Sequence, residues 1–161
     1  MKRIPTFFLR GAVFVIGAAV LALCIFALPA LWRAVPGEYH PEMTKALYGI
    51  ILTMYAAAVP FFIGLYQALQ LLNLIDKNKA FSKLSAKALR RITYCAVAIS
   101  AVYTASLPLF YVWAENDDAP GLIVIGMIFV GASLTVAVFA AVLERLFLDA
   151  TKMKSENDLT V

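Results

Sequence analysis

Three side-chain amides, Gln67, Gln70 and Asn73, recur every three residues inside an otherwise apolar run. On a helix that spacing keeps them on one slowly drifting face, where they could line a polar path, bind a ligand or hydrogen-bond neighbouring helices together. A conduction path calls for ionisable partners at membrane depth; none occurs, and the expectation is that these amides join helices. A second grouping follows. Ser82 is placed to cap a helix with Ser85 three residues on, and along that helix Lys83, Lys87, Arg90 and Arg91 share a sector while Phe81, Leu84, Ala88 and Ile92 face the other way. A basic amphipathic element can lie on anionic lipid or hold an acidic partner. Its plainer role is to anchor the next apolar run at a membrane surface.

Two further clusters carry less chemistry. Glu115-Asn116-Asp117-Asp118 packs three carboxylates just before Pro120-Gly121, a set that could attract a hard cation but equally suits a helix N-terminus, where the backbone dipole favours negative charge. His40, the single histidine, lies between Glu38 and Glu42, and one histidine in a polar turn seldom makes a metal site or a pH switch. No nucleophile with a base, phosphate-binding glycine loop or paired metal motif is present. The chain is therefore expected to be no enzyme and to carry no cofactor and no metal.

The elements that must position these residues follow from hydropathy. Apolar residues make up 63% of the 161 and charged ones 15%, too apolar a balance for a soluble domain, which averages about 45–50% and about 25%. Lipid is the alternative solvent, and about 20 apolar helical residues cross its hydrocarbon core. Four such runs occur, roughly 11–32, 47–72, 92–113 and 121–147, with a short polar tail at 148–161. Helix is the spanning form, because lipid offers no partner to free backbone groups and the runs lack the alternation of barrel strands. The fold class is an all-α membrane protein, one domain of four transmembrane helices in an up-down antiparallel bundle with short connections.

Charge placement orients it. Of the fourteen Lys and Arg, three precede the first run, two lie between the first and second, six between the second and third, none between the third and fourth, and three at or beyond the end of the fourth. Lys and Arg mark the cytoplasmic side, so both termini and the 76–91 loop are expected inside. The net charge of +4 is then a topology signal, not a nucleic-acid footprint. Trp32 and Trp113 close the first and third runs on the deduced outer face, where indoles favour the interface.

The first run is too long for a signal core and lacks a cleavage site, despite Leu21-Ala22-Leu23-Cys24, which predicts a retained helix. Cys24 and Cys95 lie at depths about 15 Å apart, beyond disulfide reach, and should be free thiols. Ser133, Ala137 and Ala141, with Gly126 and Gly131 nearby, and Ala96, Ser100 and Thr104 are the expected helix-contact stripes; a homo-oligomer is their other use. Pro60 falls mid-run, as a bend or a hinge, while Pro29 and Pro108 lie near outer ends.

Leu74-Ile75-Asp76, Ala80-Phe81-Ser82, Leu89-Arg90-Arg91-Ile92, Asp117-Asp118-Ala119-Pro120-Gly121 and the closing 154–161 segment, ending Ser-Glu-Asn-Asp-Leu-Thr-Val, resemble the signature blocks of the YoaS-like family of bacterial membrane proteins. The resemblance covers runs two to four and the tail; the first run shares only its hydrophobicity. It implies the bacterial plasma membrane and, as partner, a small cytosolic DNA-binding regulator of the helix-turn-helix type. It transfers no catalytic residue. The sequence thus points to a regulatory or sensory membrane protein in contact with lipid, with a small transporter or channel subunit built on Gln67, Gln70 and Pro60 as the alternative.

Overall fold

The computed structural model describes residues 3–35, 37 and 40–159. Glu38, Thr160 and Val161, which belong to the segments read above, lie outside the described residues. The regular elements of the described residues are all helical: α1 (Arg3–Ala22), a π-helical stretch (Leu23–Ala27), α2 (Leu28–Ala34), α3 (Pro41–Asp76), α4 (Lys83–Asn116) and α5 (Gly121–Leu159). α1, the π stretch and α2 form one rod, so four helices are long and apolar enough to cross a membrane.

These helices outrun the apolar segments. α3, α4 and α5 have 36, 34 and 39 residues, about 51 to 58 Å at 1.5 Å per residue, whereas hydrocarbon is about 30 Å thick. The extensions carry the polar segments. Residues 83–91 are the first turns of α4 itself, and the tail continues α5 in helix to Leu159. The first connection is correspondingly shorter than the 33–45 segment between the apolar runs, because α2 runs to Ala34 and α3 starts at Pro41.

Local chemistry sets the ends. At the α3 C-terminus Asn78 takes a left-handed conformation (φ 60°), and Lys79 N–H returns to the Leu74 carbonyl at 2.8 Å. Asp118 (φ 50°) does the same after α4, with Ala119 N–H on the Ala114 carbonyl at 2.9 Å. Both are αL terminations that occupy the last orphan carbonyls of a helix. Ser82 caps α4 as expected, its hydroxyl accepting from Ser85 N–H. The acidic turn is therefore first the close of α4: Asp117 accepts from the Trp113 indole N–H at 3.2 Å, and Asn116 donates to the Val112 carbonyl. His40 occupies the N-cap position of α3 without a side-chain cap bond. Among the described residues no group of three or more His, Cys, Asp or Glu converges on a metal position.

The helices lie side by side in chain order. Gly49 of α3 faces Leu109 of α4, and Gly64 faces Cys95; Ile50, Ala57, Tyr103 and Phe110 form the buried core of that pair. Tyr103 carries the packing onward, stacked on Phe129 of α5 at 5.0 Å. Along α5 the contact stripe is Gly126, Val130, Ser133, Ala137, Ala140 and Glu144, each buried or half-buried, alternating steps of four and three in the manner of a left-handed helix seam. That corrects the expected α5 stripe in two positions: Ala141 and Gly131 are exposed, one residue out of register with the seam. On α4, Ala96 and Ser100 are buried but Thr104 is exposed. Nor do Ser133 and Thr104 bond across helices; each donates to its own backbone, to the Phe129 and Ser100 carbonyls, the partner always within reach when lipid supplies none. Cys24 and Cys95 are free, and α3 runs unbroken through Pro60.

α1 and α2 meet α3 along a narrow seam. In the π register the Cys24 carbonyl looks to residue 29, a proline with no N–H, while Leu28 N–H is already on the Leu23 carbonyl. The Tyr55 hydroxyl of α3 fills the gap, donating to Cys24 O at 2.8 Å. Tyr55→Phe should therefore cost about 1 kcal/mol, the scale of interhelical hydrogen bonds in lipid. Unfolding of the purified protein in mixed detergent–denaturant micelles checks this, and an unchanged midpoint would mean another donor serves that carbonyl. Where α1 and α5 leave the row open, an apolar cleft of about 480 Å³ reaches Cys24, Ala57, Tyr103 and Ser133, one residue from each helical rod.

Candidate functional site

Three amides on one face of α3 have three different surroundings. The Asn73 carboxamide oxygen accepts from Arg10 of α1 at 2.6 Å, and the same guanidinium nitrogen lies 2.8 Å from Asp76. Asn73 is therefore a joint between helices, the role expected of the whole set. Gln70 turns along its own helix, its Nε2 donating to the Tyr66 hydroxyl at 2.9 Å. Gln67 is buried, 5% exposed, and its Oε1 has no hydrogen-bond partner among the described residues.

An unpaired buried carbonyl costs on the order of 1–3 kcal/mol, so its surroundings matter. Gln67 lines a cavity of about 310 Å³ between α3 and α4, together with Gln70, Asn73, Lys77, Lys87 and Arg91. Here the two groupings read separately from the sequence meet. Helix geometry explains the meeting: positions 67, 70, 74 and 77 repeat every three to four residues down α3, and 84, 87, 88 and 91 do so along α4. The Asn78–Ser82 turn brings the two rows face to face.

The basic quartet is divided by this packing. Arg90 points to α5, where its Nε donates to Glu144 Oε1 at 2.9 Å, with the Glu144 side chain only 15% exposed. It is a structural tie, not a free contact for a partner. Lys87 and Arg91 turn to the cavity, and Lys83 is exposed at the first position of α4. On the opposite, apolar face Leu84 and Phe81 are exposed, Ala88 is buried, and Ser85, Ala86 and Leu89 are buried beside it. Phe81 instead lies edge-to-face with Phe147 of α5 at 5.4 Å. The four cations share a sector of α4, but α4 has neighbours on two sides here, so their side chains divide between α3 and α5.

Lys77 is the cavity residue that the sequence did not single out, although it continues the three-to-four-residue row begun by Gln67. The Arg10–Asp76 and Arg90–Glu144 pairs join residues 66 and 54 apart, with no local signal. Their effect on the cavity is electrostatic. Asp76, the carboxylate next to Lys77, is engaged by Arg10, and no carboxylate lines the cavity, whereas Lys77, Lys87 and Arg91 do. Among the described residues none of these three cations is in an ion pair. Three like charges around one small space raise its positive potential. The polar lining ends at Gln67 and does not reach Pro60.

No solved structure matches this chain. Among curated proteins it is similar to an uncharacterised membrane protein, YoaS, of Bacillus subtilis (strain 168), with 51% identity over 161 residues and the whole of both chains covered. A family described as protein of unknown function (DUF2975) matches residues 33–161, the stretch that holds α3, α4, α5 and the cavity. With four membrane-length helices, full-length similarity to a membrane protein and a family match over most of its length, the chain belongs to the DUF2975 family of membrane proteins.

Proposed function

We propose that this protein is a non-enzymatic regulatory protein of the bacterial plasma membrane. It crosses the bilayer up and down four times with both termini in the cytoplasm, binds a ligand in the α3–α4 cavity, and presents its cytoplasmic face to a soluble partner. One observation carries this reading: the cavity with its unpartnered Gln67 oxygen lies at the same end as the six cations of the 77–91 segment and the helical extension of α5. By the positive-inside rule that end is cytoplasmic. From Phe147, level with Phe81, α5 runs twelve residues further to Leu159, about 18 Å. It forms a post beside the exposed Lys83 and the α3–α4 turn. The cavity is built from α3 and α4, which carry the basic segment, and α4 packs on α5, so its occupancy can bias how both are presented. The resemblance supplies the partner class, a small helix-turn-helix DNA-binding regulator held or released at the membrane; contact with nucleic acid would be the regulator's and not this chain's. The transport alternative gains no support from a cavity whose polar lining stops at Gln67.

The test is co-purification from detergent-solubilised membranes, with the full chain and with residues 155–161 removed. A cytosolic protein recovered with the full chain and lost on truncation is the expected result. Recovery of none with either chain overturns the reading.

A further inference from the structure

We infer that the α3–α4 cavity takes a phosphate group that also carries a hydroxyl, the chemistry of a glycerol phosphate, either as the headgroup of an anionic phospholipid or as the free ester. This deepens the reading above and rests on it for the site, not for the partner. The structure sets two requirements. Lys77, Lys87 and Arg91 converge with no carboxylate in the lining, and the nearby Asp76 and Glu144 are engaged by Arg10 and Arg90; the uncompensated charge calls for an anion. Arg and Lys bind phosphate oxygens by charge-assisted hydrogen bonds.

Gln67 sets the other requirement. Its buried Oε1 is an acceptor without a donor that meets a ligand once the side chain turns into the cavity it lines, and a carboxylate or an ionised phosphodiester has no proton to give it. A hydroxyl beside the phosphate does. Size agrees, since about 310 Å³ is at the lower edge of small-molecule sites, roughly 300–1,000 Å³. The position agrees too. Gln67 lies nine residues inside the end of α3 and Arg91 eight residues inside the start of α4, where the apolar runs give way to Lys and Arg, and cationic side chains at the ends of spans reach lipid headgroups. Leu74 and Leu84 add an apolar rim, which suits a headgroup followed by its acyl chains.

The experiment uses the full-length purified chain in mild detergent. Native mass spectrometry reads retained phosphatidylglycerol against phosphatidylcholine, and a separate titration adds glycerol 1-phosphate in phosphatidylcholine nanodiscs. The parent should retain one phosphatidylglycerol at least roughly tenfold better than phosphatidylcholine, a difference that one charge-assisted contact supplies. Lys87→Gln with Arg91→Gln should abolish the preference, Lys87→Arg should keep it, and Arg145→Gln, on α5 away from the cavity, should leave it intact. Phosphatidylglycerol retained without response to the free ester identifies lipid as the source; saturable binding of the ester identifies the soluble one. Equal retention of both lipids with no ester binding overturns the inference, as does a well-folded double variant that behaves like the parent. Phosphate binding with no cytosolic partner in the co-purification would overturn the regulatory reading alone. A partner recovered with no phosphate binding would overturn this one alone.

Discussion

Gly126→Val is expected to lower stability by about 1–3 kcal/mol, the usual cost of forcing extra atoms into a packed interface. At Gly126 an added Cβ would stand 3.0 Å from Leu107 Cδ2 and 3.3 Å from two ring atoms of Phe110. Phe110 is itself buried, in the α3–α4 core, so its ring has nowhere to yield without disturbing a second interface. Lipid offers no hydrophobic drive to hold helices together, and close backbone approach at small residues does much of that work. Gly131 is the matched control, since nothing lies within 4 Å of its added Cβ and Gly131→Val should change little. Unfolding midpoints in mixed micelles compare the two. Equal losses would sink the claim that the seam runs through 126 and bypasses 131.

Gln67→Leu should move stability the other way and remove binding at once. The buried, unpartnered Oε1 is a liability in the empty protein, and replacing it by a similar-sized apolar group should stabilise the ligand-free chain by about 1 kcal/mol. Any stabilisation that phosphatidylglycerol or glycerol phosphate confers on the parent should shrink in the variant, because the donor it brings finds no acceptor. Thermal unfolding of both proteins, with and without each probe, separates the two effects. A Gln67→Leu protein less stable than the parent when empty would mean that the carbonyl already has a partner, such as an ordered water. An unchanged ligand response would remove Gln67 from the site. Gain of stability with loss of binding is the signature of a polar group retained for function.

Much of the candidate site could be read along the chain. Gln67, Gln70 and Asn73 stood out because amides are conspicuous in an apolar run, and Lys87 and Arg91 because cations cluster before the third span. What hid their connection was the break in periodicity at the Asn78–Ser82 turn: each row is local, and only the turn makes them face one another. Arg90 shows the limit from the other side. On a helical projection it belongs with Lys83, Lys87 and Arg91, yet it pairs with Glu144, a residue whose position in the seam of α5 depends on a register set about twenty residues away, at Gly126. Asn73 joins two helices, as its place among the amides suggests, but its partner Arg10 lies 63 residues distant.

The number of spans and their all-helical form followed from sequence alone. Hydrocarbon imposes one conformation on any apolar run of that length, because every backbone group must find its partner within the segment. Free cysteines and the Ser82 cap were legible for similar reasons, resting on depth and on local bonds. Tertiary structure alone decided which face of each helix meets which neighbour. In lipid almost every side chain is apolar, so hydrophobic periodicity loses its power to mark an interior, and packing is settled by shape: the notch at Gly126, the Tyr55 hydroxyl over a carbonyl that Pro29 cannot serve, the seam stepping by four and three along α5. The three amides on α3 were visible from the start. That one of them is a joint, one is tied to its own helix and one is left without a partner in the wall of a cationic cavity became visible only when α1 and α4 were in place.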